Sequence, residues 1–112
     1  MFKNFNQPVI FAHRGACALA PENTITSFEL AVAHKADAVE LDAKLSKDGQ
    51  VMVIHDPTLE RTTDGKGKVN EHTLAELKNL DAGSKFDPKF AGEKIPTLEE
   101  VFKHVGKKLF VN

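Results

Sequence analysis

"VELDAKLSKDGQVMVIHD", residues 39–56, sets two carboxylates inside a strand-like run and ends the next run on a histidine beside an aspartate. In the wider segment 37–45, Val39, Leu41 and Ala43 alternate with Glu40, Asp42 and Lys44, the two-residue period of a strand. "SKDGQ" carries an Asp-Gly step that predicts a turn. "VMVIHD", residues 51–56, is almost continuously apolar, which suits a strand buried on both faces, as in a parallel sheet. The short connection predicts a hairpin or a bent pair.

Upstream, "PVIFA", residues 8–12, is a second continuous apolar run, closed by His13-Arg14-Gly15. "GACALAPENT" reads as a loop leading into a helix. Thr26 and Glu29 have capping-box spacing, with Asn23 or Thr24 as the alternative cap. Phe28, Ala31 and Val32 form the apolar stripe of that helix. Downstream, "LERTTDGKGKV" is a polar, glycine-punctuated loop, and "HTLAELKNL" spaces Leu74, Leu77 and Leu80 as a short helix would. Residues 81–96 have little periodicity. "TLEEVFKHVGKK" predicts a helix capped by Thr97 and Glu100, buried through Leu98, Val101, Phe102 and Val105, with Gly106 at its C-cap. "LFVN", residues 109–112, begins another strand. Strands alternating with helices predict the α/β class with a parallel sheet.

The 112 residues suffice for one small domain, and 41% hydrophobic with 28% charged residues is the composition of an ordinary globular protein. A formal net charge of −1 gives no overall field for nucleic acid or an anionic membrane, and without Trp or Tyr a stacking platform for single strands is not expected. The single cysteine, Cys17, cannot form an internal disulfide. No apolar run at the N-terminus is long enough for a signal peptide or a membrane span. A cytoplasmic protein is the expectation.

In α/β folds sites lie at the carboxyl ends of the parallel strands. Three expected strand ends carry His13-Arg14, then Glu40 and Asp42, then His55-Asp56. Two residues apart on one strand, Glu40 and Asp42 would share a face. Burying both unpaired costs several kcal/mol, which a cation or a proton must offset. A hard divalent ion, Mg²⁺ or Ca²⁺, suits oxygen ligands, and His13 and His55 suit general acid and base work near neutral pH. The competing reading is plainer: alternating acids face water on an antiparallel sheet, and strand-end histidines are satisfied surface groups. His34, His72 and His104 are expected at the surface.

Taken together, His13-Arg14-Gly15, "PENT" (21–24), Glu40-x-Asp42, "KDG" (47–49), His55-Asp56, "LERTTDGKG" (59–67), "LDAG" (80–83) and "IPTLEEV" (95–101) resemble the N-terminal half of the glycerophosphodiester phosphodiesterase family, over about residues 8–112. The resemblance implies a TIM (β/α)8 barrel, of which this chain holds about the first three βα units plus the family's insertion at about residues 61–96. It implies metal-dependent hydrolysis of glycerophosphodiesters to sn-glycerol 3-phosphate and an alcohol. Carried over by motif, His13 and His55 are the catalytic acid/base pair. Glu40 and Asp42 are ligands of a divalent cation, Mg²⁺ or Ca²⁺. Arg14 binds the substrate phosphate, and Glu22 and Asn23 support the site.

Two departures accompany the resemblance. Lys35 stands where the family has glycine at a helix end. The family barrel runs to roughly 250 residues, and the strand begun at 109–112 continues there into a further metal-ligating glutamate. The chain is therefore expected to be an N-terminal piece of a phosphodiesterase. Assembly with itself or with a C-terminal half, and a non-catalytic fragment that binds metal or phosphate, are the alternatives.

Overall fold

The computed structural model describes residues 11–106 and 110–111, so the expected start of the first strand at Pro8–Ile10 lies outside the described residues. Strands β1 (Phe11–His13), β2 (Ala38–Glu40) and β5 (Phe110–Val111) form a parallel sheet in the order β1-β2-β5. His13 lies opposite Glu40 in that register. Between β1 and β2 runs helix α1 (Ile25–Ala33), and helix α3 (Leu98–Val105) precedes β5. The βα alternation expected from the sequence is thus present.

Between β2 and α3 the chain leaves this sheet. β3 (Ala43–Leu45) and β4 (Val51–Val53) pair antiparallel across the Asp48-Gly49 turn, where Gly49 holds φ +81°. A 3₁₀ turn at Val69–Glu71, helix α2 (Leu74–Lys78) and a 3₁₀ turn at Pro88–Phe90 follow.

This corrects two expectations. Residues 37–45 are not one strand: the chain breaks at Leu41-Asp42 and passes from one sheet to the other. Nor does β4 belong to the parallel sheet, so His55-Asp56 does not end a parallel strand. The apolar run is nevertheless buried on both sides at Met52, Val53 and Ile54, with Val51 exposed. Val53 joins Phe28, Ala31, Val39, Val101 and Val105 in one core cluster. Met52 and Ile54 point the other way, into a second cluster with Leu59, Val69, Leu77, Ala82 and Ile95. Two cores on opposite faces of one strand produce the same sequence pattern as a central parallel strand.

The helix starts follow local chemistry. Thr24 caps α1: its hydroxyl accepts from Ser27 N–H, and the Ser27 hydroxyl accepts from Thr24 N–H, each at 3.2 Å. The box at Thr26 and Glu29 does not form. Glu93 accepts from both the backbone N–H and the hydroxyl of Thr26, at 3.2 and 2.9 Å, and Glu29 instead faces His104. Thr97 with Glu100 caps α3 as expected, and Thr73 with Glu76 caps α2 in the same way. Val101 and Val105 are buried and Leu98 is partly so, but Phe102 stands 47% exposed and is not part of the buried stripe. Gly106 is the C-cap of α3 with φ −60°, a right-handed end rather than a left-handed one.

Candidate active site

The turn after β1 is conformationally costly and held from several sides. Arg14 and Asn23 both adopt left-handed backbone, φ +53° and +57°. Arg14 N–H donates to Glu40 O at 2.7 Å, and Asn23 N–H donates to Arg14 O at 2.9 Å. Gly15 next to them has φ +79° and sits against Ser27 of α1 so closely that no side chain fits. The strained loop is thereby pinned to β2 and to the start of α1, and such strain collects at functional sites.

On this frame the predicted residues fall into three groups: His13 with Glu40; Arg14 with Glu22, Asp42 and Asn23; and His55 with Asp56. His13 Nε2 lies 3.2 Å from Glu40 Oε1, across the register of β1 and β2. Arg14 reaches Glu22 Oε2 through Nη1 at 3.2 Å and lies with Nε 3.2 Å from Asp42 Oδ2, close enough for an ion pair but not aimed as a hydrogen bond. Asn23 Nδ2 donates to the same Asp42 oxygen at 3.2 Å. Glu40 and Asp42 thus work with different partners, because the strand ends between them. His55 stands apart from β1 and β2, on the excursion, with Nδ1 2.8 Å from Asp56 Oδ1. It lines one small cleft with Glu22 and Asn23.

Arg61 was not among the residues singled out, and it joins the Arg14 group to the His55–Asp56 pair. Its Nη1 and Nη2 donate to the two Glu22 oxygens at 2.8 and 2.9 Å, while Nε and Nη2 donate to the two Asp56 oxygens at 2.8 and 3.0 Å. A continuous ladder results: Asp42, Arg14, Glu22, Arg61, Asp56, His55. Only the place of Arg61 in the "LERTT" motif marks it in the sequence. Hydrogen bonds from Arg61 hold the Asp56 carboxyl well below the usual range, with His55 adding to the effect. Arg61 likewise lowers Glu22, against an opposing push from partial burial, and the two acids raise the guanidinium further.

The charges do not balance within this group. The carboxylates of Glu22, Glu40, Asp42 and Asp56 face the guanidinium groups of Arg14 and Arg61, a formal excess of two negative charges with neutral histidines. Beside Asp42, the buried Asn23 Oδ1 accepts no hydrogen bond. Oxygen donors with spare negative charge fit a hard divalent cation in kind. Among the described residues, no group of three or more His, Cys, Asp or Glu is assembled to hold one. A separate surface groove, lined by Val51, Leu98 and Phe102 among others, holds none of these charged residues.

Charged groups gather at the carboxyl ends of parallel strands β1 and β2, the end at which α/β barrel enzymes place their sites. A family model described as the glycerophosphoryl diester phosphodiesterase family matches residues 13–112. The chain belongs to that family. It is 54% identical over 103 residues to a glycerophosphodiester phosphodiesterase of Caldanaerobacter subterraneus subsp. tengcongensis, covering 92% of this chain and 42% of the relative. A Bacillus subtilis glycerophosphodiester phosphodiesterase is 51% identical over 104 residues, covering 86% of this chain and 36% of the relative.

Among solved structures, the glycerophosphodiester phosphodiesterase of Agrobacterium tumefaciens superposes with a TM-score of 0.91 at 43% identity, over 94% of this chain and 46% of that one. An Oleispira antarctica phosphodiesterase, solved in complex with the product sn-glycerol-3-phosphate, matches with the same score and identity over 94% and 43%. The fold is accordingly that of the family's TIM barrel, of which this chain makes a part. The chain spans about 42% of the length of a curated relative it matches. Among the described residues, no helix is long and apolar enough to cross a membrane.

Proposed function

We propose that these residues form part of the active site of a metal-dependent, cytoplasmic phosphodiesterase that hydrolyses glycerophosphodiesters to sn-glycerol 3-phosphate and an alcohol. The observation that carries this reading is the meeting of His13–Glu40 with the Asp42–Arg14–Glu22 ion pairs at the carboxyl ends of β1 and β2. The product complex of the Oleispira relative supports the substrate class.

A phosphodiester is an anion, and attack on its phosphorus adds charge to the equatorial oxygens. Arg14, already facing two acids, is the guanidinium that binds the phosphate. Glu22 and Asn23 hold Arg14 and Asp42 in place. Glu40 and Asp42 would hold Mg²⁺ or Ca²⁺, which neutralises charge on the phosphoryl oxygens when bound. One of His13 and His55 takes the proton of the attacking hydroxyl, from water or from the substrate's own glycerol. The other returns a proton to the departing alkoxide as its bond to phosphorus breaks. The part of the excursion at about residues 61–96 is the segment we assign to selection of the alcohol group.

The test is glycerol 3-phosphate release from glycerophosphocholine and glycerophosphoethanolamine by the purified chain, with Mg²⁺, with Ca²⁺ and with a chelator. Release that needs the cation and disappears in His13→Ala supports the reading, and a self-association or added C-terminal half that raises it would supply the rest of the barrel. No release from a folded chain, with divalent-ion binding retained, would favour a binding-only fragment.

A further inference from the structure

Arg61 is built for more than a surface ion pair. Four of its hydrogen bonds go to just two carboxylates, and each carboxylate is gripped through both of its oxygens. Such fork-to-fork contact fixes the plane of the acid as well as its distance. Glu22, the far anchor, is itself held by Arg14. Asp56, the near one, has Oδ1 2.8 Å from His55 Nδ1. An ionised carboxylate can only accept, so Nδ1 carries the proton and Nε2 is the basic nitrogen of the neutral ring.

We propose that Arg61 is a positioning residue for His55: by forking onto Glu22 and Asp56 together, it holds the Asp56 carboxylate against Nδ1 and keeps His55 in the tautomer whose Nε2 is free to take a proton. Asp56 neighbours His55 in the chain, and an aspartate side chain in general has several staggered rotamers to choose among. Arg61, fastened 39 residues away at Glu22, removes that freedom. The inference rests on the reading of His55 as an acid/base residue. Its geometry does not depend on hydrolysis being observed.

The experiment is long-range ¹H–¹⁵N NMR of the histidine rings in the 112-residue chain at about pH 8.5, where imidazole is neutral. The expected result is a His55 ring almost wholly in the Nδ1–H form. In Arg61→Lys, and in Arg61→Ala where it folds, that form should give way to a mixture, with Glu22→Gln showing a smaller loss. Lysine keeps the charge but has a single point of attachment, so it should not rescue. A His55 tautomer unchanged in Arg61→Lys would overturn the proposal, whatever the alanine variant does. Should the tautomer follow Arg61 while His55→Ala retains full glycerol 3-phosphate release, the acid/base reading fails and the positioning stands.

Discussion

Arg61 and Asp56, five residues apart, are joined by two hydrogen bonds of 2.8 and 3.0 Å that engage both carboxylate oxygens. The pair lowers the Asp56 carboxyl in the folded chain, and Arg61 lowers Glu22 too. A lowered acid contributes stability that is complete above its unfolded value and is lost as pH falls through the folded one. The relevant starting values are 3.8 for Asp and 4.5 for Glu. Arg61→Ala should therefore be less stable at pH 7 by about 1 kcal/mol, a modest figure because the guanidinium is half-exposed and screened. Urea unfolding repeated at steps below about pH 4.5 should show the gap between wild type and variant closing. A gap that stays constant with pH would contradict the ion-pair account.

Gly15→Ala should be severely destabilising. The added Cβ would lie 2.4 Å from Ser27 Oγ and 2.7 Å from the Ser27 carbonyl carbon, and the backbone there has φ +79°. The hydroxyl can rotate away, but the backbone of α1 cannot. A loss of at least about 2 kcal/mol is expected in denaturant unfolding, with Arg14 displaced along with the turn.

Lys35→Gly should stabilise. Lys35 follows α1 with φ +60°, a conformation that costs a side-chain-bearing residue about 1 kcal/mol or more. Its side chain is exposed, so little is lost with it. Thermal unfolding of the glycine variant should show a higher midpoint, and a lower one would mean that the lysine side chain contributes something else.

Two phenylalanines should behave oppositely. Phe28 is fully buried at the centre of the first core, and Phe28→Ala should cost about 3–5 kcal/mol. Phe102→Ala, at a position 47% exposed, should cost well under 1 kcal/mol as an estimate from surface substitutions. Equal losses would put Phe102 back into the core.

Much of the local structure was legible because its causes are local. A cap and its helix lie within four residues, so "TLEE" announced α3 and the Asp48-Gly49 step announced the β3–β4 turn. The same logic left the start of α1 open among Thr26, Asn23 and Thr24, and the structure selects Thr24. Thr26 has suitable spacing, but Glu93, 67 residues away, takes its hydroxyl and its N–H.

The break at Leu41-Asp42 was not legible, since alternation continues across it while the hydrogen-bonding partner changes from β1 to β4. The same holds for β4, whose apolar run records burial on two faces without saying what covers them.

The sequence by itself determined the α/β class, the helix stripes except at Phe102, and the acids, histidines and Arg14 proposed to bear the chemistry, because residue type and short-range spacing carry that information. Tertiary structure alone decided which carboxylate meets which cation: His13 with Glu40, Arg14 with Asp42, and Arg61 between Glu22 and Asp56. Those pairings depend on how loops far apart in the chain are folded together, and a charge in a sequence does not name its partner across 39 residues.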